Sequence, residues 1–100
     1  RPDGRLLYAS RAPIPYNKLN TFQKGWRQVC AYAFPKAVLK IFSSVKKKTE
    51  LEEIEDIEYL RFLELGLEVR TLRMSTKSLA VDTPEDVILA KKMISKLNLD

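Results

Sequence analysis

Val81-Asp82-Thr83-Pro84-Glu85-Asp86-Val87 reads as the end of a strand that runs directly into a helix. Thr83 is a helix N-cap, Pro84 suits the first helical position, and Asp86 places an acid at the positive end of the helix dipole. Val87, Ile88, Ala90, Met93, Ile94 and Leu97 then supply the apolar positions of a final helix. Just upstream, Leu79 to Val81 is a short strand, and Leu67 to Leu72 alternates apolar and charged residues as a half-exposed strand does. Strands interspersed with helices predict an α/β sheet.

Further upstream, Thr49 and Glu52 form a capping-box pattern that opens a helix with an acidic first turn, and Gly66 is its C-terminal stop. Within that span Leu51, Ile54, Ile57, Leu60 and Leu63 recur every three residues, a spacing that drifts around a helix and predicts burial on most sides in its second half. Pro35 starts a shorter helix carrying Val38, Leu39, Ile41 and Phe42, which ends near Ser43 and Ser44, and Lys46 to Lys48 is a solvated loop. Trp26 to Phe34 is a nearly continuous apolar run of the kind found in strands buried on both faces. Arg5 to Ser10 is another short strand, and residues 11 to 25, broken by Pro13 and Pro15, form a loop long enough to suggest a functional segment.

At 100 residues, the chain is sized for one domain or part of one. Its opening Arg1-Pro2-Asp3-Gly4, without an initiator Met, reads as a turn between elements and suggests a piece of a longer protein. The formal net charge of +5 favours anions, but the basic residues crowd the first half while residues 50 to 64 are strongly acidic. A continuous nucleic-acid stripe is therefore not expected, although an autonomous basic module binding nucleic acid or another anion is the competing class of function. The single cysteine, Cys30, cannot form an internal disulfide; it lies in an apolar run, where a buried free thiol is expected, and fits a reducing cytoplasm. No apolar run approaches the roughly 20 residues needed to span a bilayer, so a soluble cytoplasmic chain without membrane partners is expected.

The absence of histidine removes His-based triads and His-ligated zinc from this chain, and its three scattered glycines make no phosphate loop. Asp82, just beyond a strand and before a capped helix, lies where open α/β sheets bind ligands. It either helps cap the helix or offers an oxygen to a magnesium ion. Arg11, after the first strand, is an ordinary surface arginine or a bidentate partner for a ligand carboxylate or phosphate. Tyr8 and Tyr32 serve the core or touch a sugar, and Glu55 and Glu58 share a helix face near Asp56 and Arg61 as either a solvated face or acceptors for sugar hydroxyls.

At these places the chain resembles the CMP-Kdo synthetases, or 3-deoxy-manno-octulosonate cytidylyltransferases, of the nucleotide-sugar transferase superfamily. Leu7-Tyr8-Ala9-Ser10-Arg11-Ala12-Pro13-Ile14-Pro15-Tyr16 is similar to the family's L-Y-F-S-R-x-x-I-P-[WY] segment, and Val29 to Phe34 to its G-I-Y-x-[YF] strand. Glu55-Asp56-Ile57-Glu58-Tyr59-Leu60-Arg61 is similar to E-x-L-E-Q-L-R, and Val81 to Val87 to G-V-D-T-P-E-D-L. The order and spacing match the C-terminal two-fifths or so of the family's length.

The resemblance implies the C-terminal part of a three-layer α/β/α, Rossmann-like mixed sheet. It also implies conversion of CTP and Kdo to CMP-Kdo and pyrophosphate with Mg2+, for lipopolysaccharide biosynthesis. Asp82 would be a metal ligand, and Arg11, Gln28, Tyr32, Glu55, Glu58 and Tyr59 would lie at the sugar. A homodimer is implied as well; the apolar segment from Trp26 to Phe42 is either its contact or ordinary core. Gln28 stands where the family often has His, Tyr59 where it has Gln, and Ala80 where it has Gly. A related 3-deoxy or amino-substituted ulosonic acid, or a sialic acid, is thus the alternative sugar. The family's A-R-x-x-S-x-R-L-P-G-K loop for CTP has no counterpart in this sequence, so the chain alone is expected to be inactive.

Overall fold

Thr49 and Glu52 make the reciprocal capping box that their spacing predicts, and a short helix starts there. A computed structural model describes residues 1–75 and 79–97 of the chain. Among these residues it contains four helices: α1 (Lys36–Ser44), α2 (Glu50–Glu55), α3 (Leu60–Glu64) and α4 (Pro84–Lys96). The helices expected from Pro35 and from Thr83-Pro84 are both present; Pro35 itself occupies the N-cap of α1.

The single helix expected from Thr49 to Gly66 is instead two. Asp56 adopts a left-handed conformation at φ 53°, which ends α2, and the chain turns before α3. Arg11 stabilises this break, donating from its Nε to the Glu55 carbonyl and from its Nη2 to the Asp56 carbonyl at 2.9 Å, where the helix leaves acceptors unused. The turn resolves the three-residue apolar drift, because Ile57 and Leu60 now both point inward while Leu51 and Ile54 stay exposed. Gly66 does stop α3. At φ 76° it lets its own amide reach the Leu63 carbonyl and the Leu67 amide reach that of Phe62, at 3.0 and 2.8 Å.

The buried centre consists of Ile57, Leu60 and Phe62 together with two charged residues, Glu52 and Arg61. Arg61 donates to both Glu52 oxygens and to the carbonyls of Phe42 and Val45, so one guanidinium joins α1, α2 and α3. Rings of Phe34 and Phe42 pack on Phe62 at centroid distances of 5.3 and 5.0 Å, and Tyr32 packs on Tyr59 at 5.8 Å. These contacts seat the apolar run of residues 26 to 34 against α3.

The expected sheet does not form among the described residues. The runs read as strands are extended but almost unpaired; only the isolated antiparallel bridges Arg5–Arg70 and Tyr16–Phe22 occur. Around the first, Leu6 donates to Val69 and Thr71 to Gly4, each at 2.8 Å, so two of the expected strands do meet edge to edge. The run from Trp26 to Phe34 has a side-chain pattern for burial on both faces, but no described segment pairs with it in a ladder, and Trp26 is 80% exposed. A radius of gyration of 17.0 Å, against about 13 Å for a packed domain of this length, expresses the same shortage of covering layers. No helix among the described residues is long and apolar enough to cross a membrane.

Candidate functional site

The turn between α2 and α3 forms one wall of an open cleft of about 570 Å³. Asp56, Ile57, Glu58 and Tyr59 line that wall, Gln28, Cys30 and Tyr32 line the facing extended segment, and Ser10 and Arg11 close one end. Five expected sugar-site residues, Arg11, Gln28, Tyr32, Glu58 and Tyr59, are therefore brought together from three separate parts of the chain. The break at Asp56 makes this possible, since a continuous helix would have carried Glu58 and Tyr59 onward along its axis.

Arg11 is held firmly. Beyond its bonds to the Glu55 and Asp56 carbonyls, its Nη2 lies 3.7 Å from Asp56 Oδ2, whose other oxygen accepts from Lys48 Nζ at 2.6 Å. The lysine salt link holds the Asp56 carboxyl below its ordinary range, with Arg11 adding a smaller effect. Among the described residues, Arg11 Nη1 has no hydrogen-bond partner and remains available to an anion. Lys48, read from sequence as part of a solvated loop, is thus a support of the cleft. The ion pair reveals that role: Lys48 precedes α2 and Asp56 is its C-cap, eight residues away.

Tyr32 donates from its hydroxyl to Gln28 Oε1 at 3.1 Å. Desolvation first, then the neighbouring Cys30 thiol, push its phenol up to about 12, and desolvation likewise raises Tyr59. Both phenols are therefore neutral hydrogen-bond donors near pH 7. Cys30 itself is exposed at the cleft, contrary to the buried free thiol that an apolar run suggests. Glu58 is exposed, and among the described residues its carboxylate accepts no hydrogen bond. Glu58, Tyr32 and Tyr59 also border a neighbouring apolar groove of about 290 Å³ completed by Phe34, Leu39, Phe42 and Phe62.

Glu55 stands apart from this set. Its Oε1 accepts from the hydroxyls of Tyr8 and Ser10 at 3.1 and 2.8 Å, and its Oε2 accepts from the Arg11 amide at 2.8 Å. Those donors hold its carboxyl below the ordinary value, the Arg11 amide most of all. Tyr8, read as core or sugar contact, is spent on Glu55. The loop of residues 12 to 25 does not line the cleft. It closes on itself through Asn17, whose Oδ1 accepts from Leu19 and Thr21, and through Gly25, where a Cβ would stand 2.6 Å from the Ile14 carbonyl oxygen.

Asp82 does not line the cleft either. It precedes α4 as expected, but the cap is made by Thr83 and Asp86; the Asp86 carboxylate accepts from the Asp82 and Thr83 amides at 3.1 and 2.9 Å. The Asp82 carboxylate is left exposed and without a hydrogen-bond partner among the described residues. No group of three or more potential metal ligands occurs among those residues. One free carboxylate does fit a Mg2+ ion whose other ligands are phosphates, water and a second acid, because that ion commonly takes only one or two carboxylates.

A polar cleft lined by a fixed arginine, an amide, two neutral phenols and a free carboxylate has the chemistry to hold a hydroxyl-rich anion. Comparison with curated proteins gives that class a family. The chain is 38% identical over 95 residues to the 3-deoxy-manno-octulosonate cytidylyltransferase of Chloroherpeton thalassium, an alignment covering 94% of the chain and 38% of that protein. It is 38% identical over 93 residues to that of Acidobacterium capsulatum, and 37% over 94 residues to that of Christiangramia forsetii, covering 92% and 93% of the chain and 38% of each relative. The chain belongs to the CMP-Kdo synthetase family as a segment of it, spanning about two-fifths of the length of the curated relatives it matches. No protein-family model matches the chain, and no solved structure matches it significantly.

Proposed function

We propose that this chain is the sugar-binding part of a cytidylyltransferase that joins the CMP moiety of CTP to Kdo or a related ulosonic acid and releases pyrophosphate. The observation that carries the reading is the conjunction of 33–38% identity to such enzymes over nearly the whole chain with one cleft shared by Arg11, Gln28, Tyr32, Glu58 and Tyr59.

In this reading the free edge of the Arg11 guanidinium binds the sugar-acid carboxylate. Glu58 accepts from sugar hydroxyls, while Gln28, Tyr32 and Tyr59 fix the ring by hydrogen bonds and apolar contact. Held so, the anomeric hydroxyl attacks the α-phosphorus of CTP in line, the bond to the β-phosphate oxygen breaks, and the hydroxyl proton is lost. Asp82 supplies one carboxylate ligand to Mg2+, which when bound neutralises charge on the phosphates. The extended segments at residues 5–10, 26–34, 67–72 and 79–81 are strands of a mixed sheet in the full-length protein, covered there on both sides. Residues 26–42 contribute to a homodimer contact. Gln28 and Tyr59 in the cleft favour testing amino-substituted ulosonic acids and sialic acid beside Kdo.

The test is pyrophosphate release from CTP and a panel of these sugars with Mg2+, using a protein of the relatives' full length that carries this sequence. Release with one of them, and none from the 100-residue chain alone, is expected. No release with any sugar would overturn the reading.

A further inference from the structure

Glu55 grips Arg11 at two points. Its carboxylate Oε2 accepts the Arg11 backbone amide at 2.8 Å, and its own carbonyl accepts the Arg11 Nε. The other carboxylate oxygen takes Ser10 Oγ at 2.8 Å and Tyr8 Oη at 3.1 Å, and Ser10 Oγ in turn accepts the Ala12 amide at 3.1 Å. One side chain therefore fixes the course of residues 8–12, while its backbone fixes the guanidinium that this segment carries. Three hydrogen bonds already occupy the Glu55 carboxylate, and the cleft is lined by its neighbours, not by Glu55 itself. Arg11 itself lines the cleft, and its Nη1 is without a hydrogen-bond partner among the described residues.

Resting on the cytidylyltransferase reading, we propose that Glu55 is a positioning residue: it preorganises Arg11 so that the guanidinium edge meets the carboxylate of the sugar acid without further ordering. A flexible arginine would lose rotamer freedom on binding, and fixing it beforehand removes that cost from the binding step. Losing a charge-assisted bond of this kind corresponds to roughly a tenfold change in affinity.

The experiment uses the full-length protein with Glu55→Gln, Glu55→Ala, Arg11→Ala and the Glu55→Gln/Arg11→Ala pair. In either orientation of its amide glutamine loses the charge: with its oxygen toward Tyr8 and Ser10 its NH2 opposes the Arg11 N–H, and turned over it meets that N–H with a neutral oxygen, so this near-isosteric variant weakens the hold on Arg11 without removing side-chain bulk. Expected results are a rise of roughly tenfold in KM for the sugar acid in Glu55→Gln, with kcat and the KM for CTP within about twofold, and no further rise when it is added to Arg11→Ala. Effects that add, or an unchanged sugar KM, would overturn the proposal. Amide hydrogen exchange at Arg11 supplies an arm independent of turnover. If the wild-type protein activates no sugar, the cytidylyltransferase reading fails, and faster exchange at Arg11 in Glu55→Gln still supports the positioning role. Unchanged protection there overturns it.

Discussion

Arg61 holds the buried carboxylate of Glu52 by two parallel bonds, Nε to Oε2 at 2.6 Å and Nη2 to Oε1 at 2.8 Å, while its guanidinium lies 3.9 Å above the Phe42 ring. Its remaining nitrogen takes the carbonyls of Phe42 and Val45 at 3.3 and 3.2 Å, at the end of α1. The pair therefore fixes α1 and α3 relative to α2, and with them the Phe42 and Phe62 rings that line the apolar groove beside the cleft.

Arg61→Met leaves the Glu52 charge buried with no counter-ion and only the Thr49 amide and hydroxyl as donors, and the expected loss is about 3 kcal/mol. Urea denaturation followed by circular dichroism measures it. Glu52→Gln with Arg61→Met should cost less than Arg61→Met alone, because the stranded charge is then gone; an equal or larger loss would show that the ion pair is not what the arginine supplies.

The same pair sets a response to acid. Burial pushes the Glu52 carboxyl up, but the Arg61 guanidinium and the Thr49 amide together outweigh it and hold the group below the ordinary 4.5. A depressed folded-state pKa contributes stability that is complete above the unfolded value and is lost as pH falls through the folded one. Stability should thus be flat across neutral pH and decline below about 4.5, with a shallower decline in the Glu52→Gln variant. Acid titrations monitored by circular dichroism decide this.

At the start of α4 two neighbouring acids have separable roles. Asp86 and Thr83 make the cap, so Thr83→Ala should destabilise by about 1 kcal/mol. Asp82 contributes only its backbone amide, and Asp82→Asn should change stability by less than about 0.5 kcal/mol. In the full-length protein the ranking reverses for magnesium-dependent turnover, which Asp82→Asn should depress strongly. Unchanged turnover would remove the metal role.

Tyr32 gives the cleft a spectroscopic signal. Its phenol is pushed up to about 12, so Tyr32→Phe should remove a component of the alkaline absorbance titration near that pH. Loss of a component near pH 10 instead would mean that the ring is not desolvated as the structure has it.

Local features of the fold were legible because they depend on neighbours in sequence. The capping box at Thr49, the N-cap at Thr83, the proline-led starts of α1 and α4, and the glycine stop at Gly66 all follow from side chains within a few residues of the backbone they serve. The break at Asp56 was not legible, since Arg11, 45 residues away, stabilises it. Strand composition in residues 26–34 announces an extended run but not its partners, and a ladder needs backbone from elsewhere. The cleft was legible only through spaced motifs: nothing in the separate patterns around Arg11, Gln28 and Glu58 says that they face one another. Glu55 shows the limit most clearly, since a carboxylate next to a sugar site and one that holds an arginine look alike until their donors are known.

Direct titration of the sugar acid against the full-length protein tests the central claim, that this cleft is the sugar site. Calorimetry with Kdo, or with whichever ulosonic acid the wild type activates, should show saturable binding that weakens roughly tenfold or more in Arg11→Ala and Glu58→Gln but remains in Asp82→Asn. Equal binding by wild type and the two cleft variants would contradict the account.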